Sequence, residues 1–147
     1  MSPSFFPRSM QTVLFSLALT AAAGAAQSAA TSFKFQFGAD KAAPGYTLVA
    51  PSATYAKETG YGFEAGSPVT PVAGDSGPAL QRGAVTAAQP FLFSVAVPEG
   101  NYRVTVTLGD PKADAITTVK SETRRLMLER IRTAAGKFET RTFTVNV

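Results

Sequence analysis

Residues Phe91 to Asp110 read FLFSVAVPEGNYRVTVTLGD, and this stretch decides the fold class. Phe91, Phe93, Val95 and Val97 occupy alternate positions, and Tyr102, Val104, Val106 and Leu108 repeat the pattern. A period of two places each apolar set on one face of a strand, half-buried. Pro98, Glu99, Gly100 and Asn101 have turn chemistry, Pro setting one φ and Gly and Asn tolerating positive φ. The stretch therefore predicts a β-hairpin with Arg103, Thr105 and Thr107 on its outward face. Such a hairpin points to a β-sandwich that presents a surface rather than a catalytic cleft.

Outward from it, the mature chain continues in the same style. Phe33, Phe35 and Phe37 alternate with Lys34 and Gln36, predicting a first core strand closed by Gly38, Ala39 and Asp40. Phe33, Phe35, Phe37, Phe91 and Phe93 are all assigned to the core on this pattern. Pro44 and Gly45 turn the chain into Tyr46–Val49, and Pro51 ends that run. Tyr55 to Phe63, YAKETGYGF, has two glycines between aromatic residues and predicts irregular backbone held by aromatic packing. From Glu64 to Pro90 the chain is rich in Gly, Pro, Ala, Ser and Thr and reads mostly as loop, with either a surface excursion or a short strand near Ala84 to Thr86.

Val119, Thr123, Leu126, Met127, Arg130 and Ile131 would also suit one face of a helix. Against that, Ile116 to Val119 is β-rich, and Leu126 and Leu128 alternate as a strand would. Local reading leaves helix and strand both open here. Gly136 and Lys137 predict a turn, and Phe143, Val145 and Val147 mark a closing strand. The expected fold is all-β, an antiparallel β-sandwich of jelly-roll type.

Composition bounds the chemistry. The chain has no His and no Cys, which excludes Ser-His-Asp and Cys-His catalysis, imidazole or thiolate metal sites, and disulfides. Residues 1–30 carry one charge, Arg8, then an apolar run from Val13 to Ala23 and a series of small residues. They read as a secretory signal peptide, because the apolar run is far short of the roughly 20 residues a spanning helix needs. About 117 residues remain, 31–147, enough for one core and too few for two. The expected location is secreted, periplasmic or extracellular, with no membrane association after cleavage. Losing Arg8 lowers the formal charge from +4 to +3, so no nucleic-acid partner is expected. The densest basic patch, Arg124, Arg125, Arg130 and Arg132, is interleaved with Glu122 and Glu129 and reads as a solvated, partly self-paired face.

Six segments, taken in order, resemble one known family: FKFQFG (Phe33 to Gly38), PGYTLV (Pro44 to Val49), ETGYGFE (Glu58 to Glu64), FSVAVPEGNYRVTVTLGD (Phe93 to Asp110), TTVKSETRRLMLE (Thr117 to Glu129) and GKFETRTFTVNV (Gly136 to Val147). They are similar to the N-terminal galactose-binding-like domain of rhamnogalacturonan acetylesterase-type esterases and some β-agarases. The resemblance spans the mature chain, with little of it in Ala65 to Gln89. It implies a β-sandwich, strand rather than helix for Thr117 to Glu129, and an extracellular polysaccharide setting. In that family the module is an accessory domain preceding a separate hydrolase, and nothing of the hydrolase is present here.

The resulting expectation is a noncatalytic carbohydrate-binding-like module for pectic or galactose-containing polysaccharide. Its partners would be the polysaccharide or a downstream hydrolase domain. The alternative is a packing or spacer domain without glycan affinity, a fragment of an acetylesterase-like hydrolase. Sugar recognition favours amphipathic aromatic rings beside hydrogen-bonding groups. Trp being absent, Tyr46, Tyr55 and Tyr61 are the candidates, with Lys57 and Glu58 beside them and Arg124 as a cation for a uronate carboxylate. For each tyrosine the competing reading is packing at a sheet edge, and for Arg124 a charged strand face. No cofactor is expected. Asp40, Asp110 and Asp114 lie near turns, where calcium binding competes with ordinary turn formation, and their spacing favours the latter. Gly74, Asp75 and Ser76 spell a Gly-Asp-Ser tripeptide, but it falls in a Gly/Pro loop with no histidine to accept the Ser76 proton, so it reads as a turn.

Overall fold

The structure, a computed structural model, describes residues 32–147 except Ala39 and Thr123. The expected signal segment lies outside the described residues. Ten strands follow one another: β1 Phe35–Phe37, β2 Thr47–Val49, β3 Tyr61–Phe63, β4 Thr70–Ala73, β5 Gly83–Thr86, β6 Phe93–Val95, β7 Asn101–Leu108, β8 Ala115–Ser121, β9 Arg125–Thr133 and β10 Glu139–Asn146. A 3-10 turn at Ala79–Gln81 is the helical element among the described residues. The strands pair as β1–β2, β3–β6, β4–β5, β7–β10 and β8–β9, with β1 lying against β5 and β9 against β10, and they form a β-sandwich.

The predicted hairpin does not form. β6 pairs with β3 (Tyr61↔Val95, Phe63↔Phe93), whereas β7 pairs with β10 from Asn101↔Asn146 to Leu108↔Glu139. Both alternating runs are strands, but Pro98 to Gly100 carries the chain from one sheet to another. The hydrogen bonds show why. The Ala96 N–H donates to the Gly60 carbonyl at 2.7 Å, Pro98 has no N–H to give, and Gly100 exchanges both backbone bonds with Val147 at 2.9 and 2.8 Å. The Tyr102 hydroxyl donates to the Pro98 carbonyl at 2.7 Å and holds the bend.

β1 and β2 run parallel, in register Phe35↔Thr47 to Phe37↔Val49, so the sandwich is not wholly antiparallel. The connection between them is short for a parallel pair. Gln36 accounts for its stability. Its side chain is 4% exposed, its Oε1 accepts the Ala43 N–H at 2.7 Å, and its Nε2 donates to the Ala79 carbonyl at 2.7 Å. A residue expected on a polar outer face thus ties three segments together from inside.

The core is largely aromatic. Phe63, 3% exposed, lies with its ring 5.3 Å from Phe93, 5.8 Å from Phe91 and 5.9 Å from Phe37. Phe35 and Phe37 approach Phe93 edge-on at 5.3 and 5.0 Å, a favoured geometry for aromatic quadrupoles. Val49 at 1% and Ala43 and Val145 at 9% exposure complete the most buried apolar positions among the described residues. Two assignments to the core fail: Phe33 is 41% and Phe91 38% exposed. Phe33 precedes the first residue of β1, so no neighbouring strand covers it.

The region 64–90 contains the β4–β5 hairpin, register Thr70↔Thr86 to Ala73↔Gly83, where the sequence left open a surface excursion or a short strand near Ala84 to Thr86. Tyr55 to Phe63 is a turn over Ala56 to Gly60 followed by a regular strand, not irregular throughout. Gly62 is required there: a Cβ would fall 2.3 Å from the Tyr55 nitrogen, because Thr54 bridges Phe63 across it. Thr117 to Ser121 and Arg125 to Glu129 are strand, as the resemblance implied, in β8 and β9.

Candidate functional site

A cleft of about 450 Å³ opens where the start of β1 meets the 56–60 turn and the first residue of β2. Phe33, Phe35 and Tyr61 supply its apolar wall, and Ser32, Thr47 and Thr59 its hydroxyls, with Lys34 and Gly45 at the side. The rings of Phe33 and Phe35 are parallel to within 8°, centroids 6.4 Å apart, and Tyr61 tilts against Phe35 at 4.8 Å. Because side chains of an extended backbone repeat every second residue, Phe33 and Phe35 share a face and extend the aromatic cluster outward to solvent. The Lys34 ammonium sits over the Tyr46 ring, 5.8 Å from its centroid, within cation–π range. Thr59 is oriented by its own hydroxyl, which donates between the Ala56 and Tyr61 carbonyls at 3.0 and 3.1 Å.

The six expected site residues divide accordingly. Tyr61 lines the cleft. Tyr46, half-buried, does not line it but seats Lys34, which does. Lys57 and Glu58 are exposed on the turn that delivers Thr59, so they flank the opening. Tyr55 is half-buried, and its N–H donates to the Phe63 carbonyl at 2.9 Å, so it serves the sheet. Arg124 is exposed in the β8–β9 turn, its N–H donating to the Glu122 carbonyl at 2.8 Å, and that hairpin contributes nothing to the cleft lining. Arg125 beside it pairs with Glu122 at 3.8 Å across exposed side chains. Sequence reasoning missed Phe33, Lys34, Phe35, Thr47 and Thr59. The available signal for Phe33 was its place at the very start of the alternating run, where strand ends lose their cover.

The Gly-Asp-Ser tripeptide lines a smaller hollow with Gly77, Gln81, Pro111, Gly136 and Phe138. β4 does precede it, but that strand is mostly exposed, and Asp75 and Ser76 are exposed bends. The loop is held by the Gly74 N–H on the Arg82 carbonyl (2.8 Å) and the Arg82 Nε on the Gly77 carbonyl (2.8 Å). Asp110 acts as a turn former, its Oδ1 accepting the Lys112 and Ala113 N–H groups at 2.7 and 3.0 Å, whereas Asp114 Oδ1 accepts the Ala135 N–H at 2.9 Å and ties its loop to the β9–β10 connection. Among the described residues no three acidic, histidine or cysteine side chains gather as a metal group, and no helix is long and apolar enough to cross a membrane.

A family model described as beta-agarase/YXIM esterase-like, galactose-binding domain-like matches residues 33–145. The chain belongs to this galactose-binding domain-like family. Among solved structures, protein YXIM from Bacillus subtilis is similar, with 28% sequence identity and a TM-score of 0.62 over 78% of this chain. The chain spans 32% of the length of that YXIM chain. A comparison with curated proteins returns no match. The galactose-binding-like β-sandwich is therefore the domain type, and the match is to a binding-type domain rather than a catalytic one.

Proposed function

We propose that this chain is a secreted, noncatalytic carbohydrate-binding accessory module of a polysaccharide-degrading esterase or agarase system, recognising pectic or galactose-containing chains. The observation that carries the reading is the solvent-open Phe33–Phe35–Tyr61 shelf with Thr47, Thr59 and Lys34 around it. Pyranose rings present an apolar face to aromatic side chains and a rim of hydroxyls to small polar groups, and the cleft offers both. The family match and the likeness to YXIM support an accessory role. Affinity electrophoresis against rhamnogalacturonan, galactan and agarose tests it. Retardation on at least one, abolished by Phe33→Ala or Tyr61→Ala, is the expected result, and migration unchanged on all three refutes glycan binding.

The second reading is a packing or spacer domain without glycan affinity. It is favoured by the chain spanning only a third of the YXIM chain, the remainder being available to other domains there. Absence of retardation combined with binding to a separately produced hydrolase domain would establish it.

A further inference from the structure

β7 is eight residues long and pairs along one edge only, with β10, among the described residues. The double exchange between Gly100 and Val147 sets the phase of that ladder. Hydrogen-bonded pairs recur at every second residue, so Tyr102, Val104, Val106 and Leu108 turn their backbone groups to β10. Arg103, Thr105 and Thr107 turn theirs to the opposite edge, and no backbone hydrogen bond reaches them there among the described residues. All three residues are exposed.

Open edges in native sheets are ordinarily guarded by proline, bulges, charge or brevity. Other strands here show these guards: β4 contains Pro71, β2 has three residues, and β8–β9 has two register shifts. β7 has no Pro, no Gly and an unbroken register, with Arg103 its single charge.

We propose that β7 pairs antiparallel with β7 of a second copy of this chain, about a two-fold axis at Thr105. The sequence of the strand selects this occupant. Side chains directly opposite each other in an antiparallel pair share a face, so the register must match outward with outward. Centred on Thr105, it sets Thr105 opposite Thr105 of the second copy, Arg103 opposite Thr107, Val104 opposite Val106 and Tyr102 opposite Leu108. No like charges face each other, the apolar row continues across the join, and the three free residues of each copy satisfy one another. The interface is isologous and closes at two copies.

Sedimentation equilibrium of the full 147-residue chain tests the pairing. The wild type is expected to dimerise. Thr105→Pro removes an N–H that the β7–β10 ladder does not use, so it folds with an unchanged circular dichroism spectrum while dimerisation weakens at least about tenfold. Thr105→Lys, which sets two ammonium groups face to face, has the same effect and carries the test if the proline variant does not fold. A wild type that stays monomeric at its highest soluble concentration overturns the proposal, as does a Thr105→Lys variant that dimerises as well as the wild type.

Discussion

The backbone N–H of Arg130 donates to the Thr118 hydroxyl, 3.2 Å away, at a point where β9 carries one residue more than β8. Thr117 pairs with Ile131 and Val119 with Leu128, so Glu129 and Arg130 together face Thr118. The bulge holds Arg130 at φ 49°, a left-handed conformation that costs a side chain-bearing residue about 1–2 kcal/mol. Arg130→Gly is therefore expected to raise unfolding free energy by about 0.5–1 kcal/mol, and Arg130→Val to lower it by more than about 1 kcal/mol. Urea denaturation followed by circular dichroism reads both, and a glycine variant less stable than wild type would show that the Arg130 side chain outweighs the strain.

Gln36 ties the β1–β2 connection to the 3-10 turn. Gln36→Leu keeps the volume but orphans the Ala43 N–H, which lies in a buried position, and frees the Ala79 carbonyl. An unsatisfied buried group costs about 1–3 kcal/mol, so the variant should unfold about 2–4 kcal/mol more easily. A loss below about 0.5 kcal/mol would mean that this polar contact does not hold the parallel pair.

Gly38 sits at φ 65° with its missing Cβ directed at the Ala84 carbonyl oxygen, 1.8 Å away. Gly38→Ala must move β1 off β5, and overpacking together with left-handed strain predicts a cost of at least about 2 kcal/mol. Gly45→Ala, where φ is 78° and no atom lies within 4 Å, isolates the strain alone and should cost about 1 kcal/mol. Equal destabilisation of the two in urea melts would remove close packing of β1 on β5 as the cause.

Phe33 and Phe63 separate binding from folding. Phe63→Ala empties the aromatic core and is expected to cost about 3–5 kcal/mol. Phe33→Ala should change stability by no more than about 1 kcal/mol yet abolish retardation on the glycan gel, since its ring is half in solvent. Arg124→Ala, in an exposed turn away from the cleft lining, should leave both within error. Retardation lost with Arg124→Ala and kept with Phe33→Ala would move the site to the β8–β9 turn.

The helix–strand ambiguity over Thr117 to Ile131 has a definite origin. Two extra residues in β9, one at Glu129–Arg130 and one at Met127, break its alternation, so Leu128 and Ile131 fall on one face three residues apart. That spacing imitates a helix turn, and no local rule distinguishes them. Family resemblance decided it because the family's domain is a β-sandwich, in which this segment is strand.

From the chain alone came the β class, the closing strand, the aromatic composition of the core and the absence of any imidazole or thiol to drive acyl transfer. Each of these depends on residue type or on a period of two, which local order encodes directly. Partners were a different matter. Alternation states which face of Phe93 or Val104 is buried but not against what, so β6 and β7 read as each other's mates when Phe63 and Phe143 are in fact their neighbours. Tertiary packing also drew polar Gln36 inside, left apolar Phe33 in solvent and left the Thr105 edge of β7 open. Those outcomes depend on contacts between residues far apart in the chain, whose free energies no short window of sequence contains.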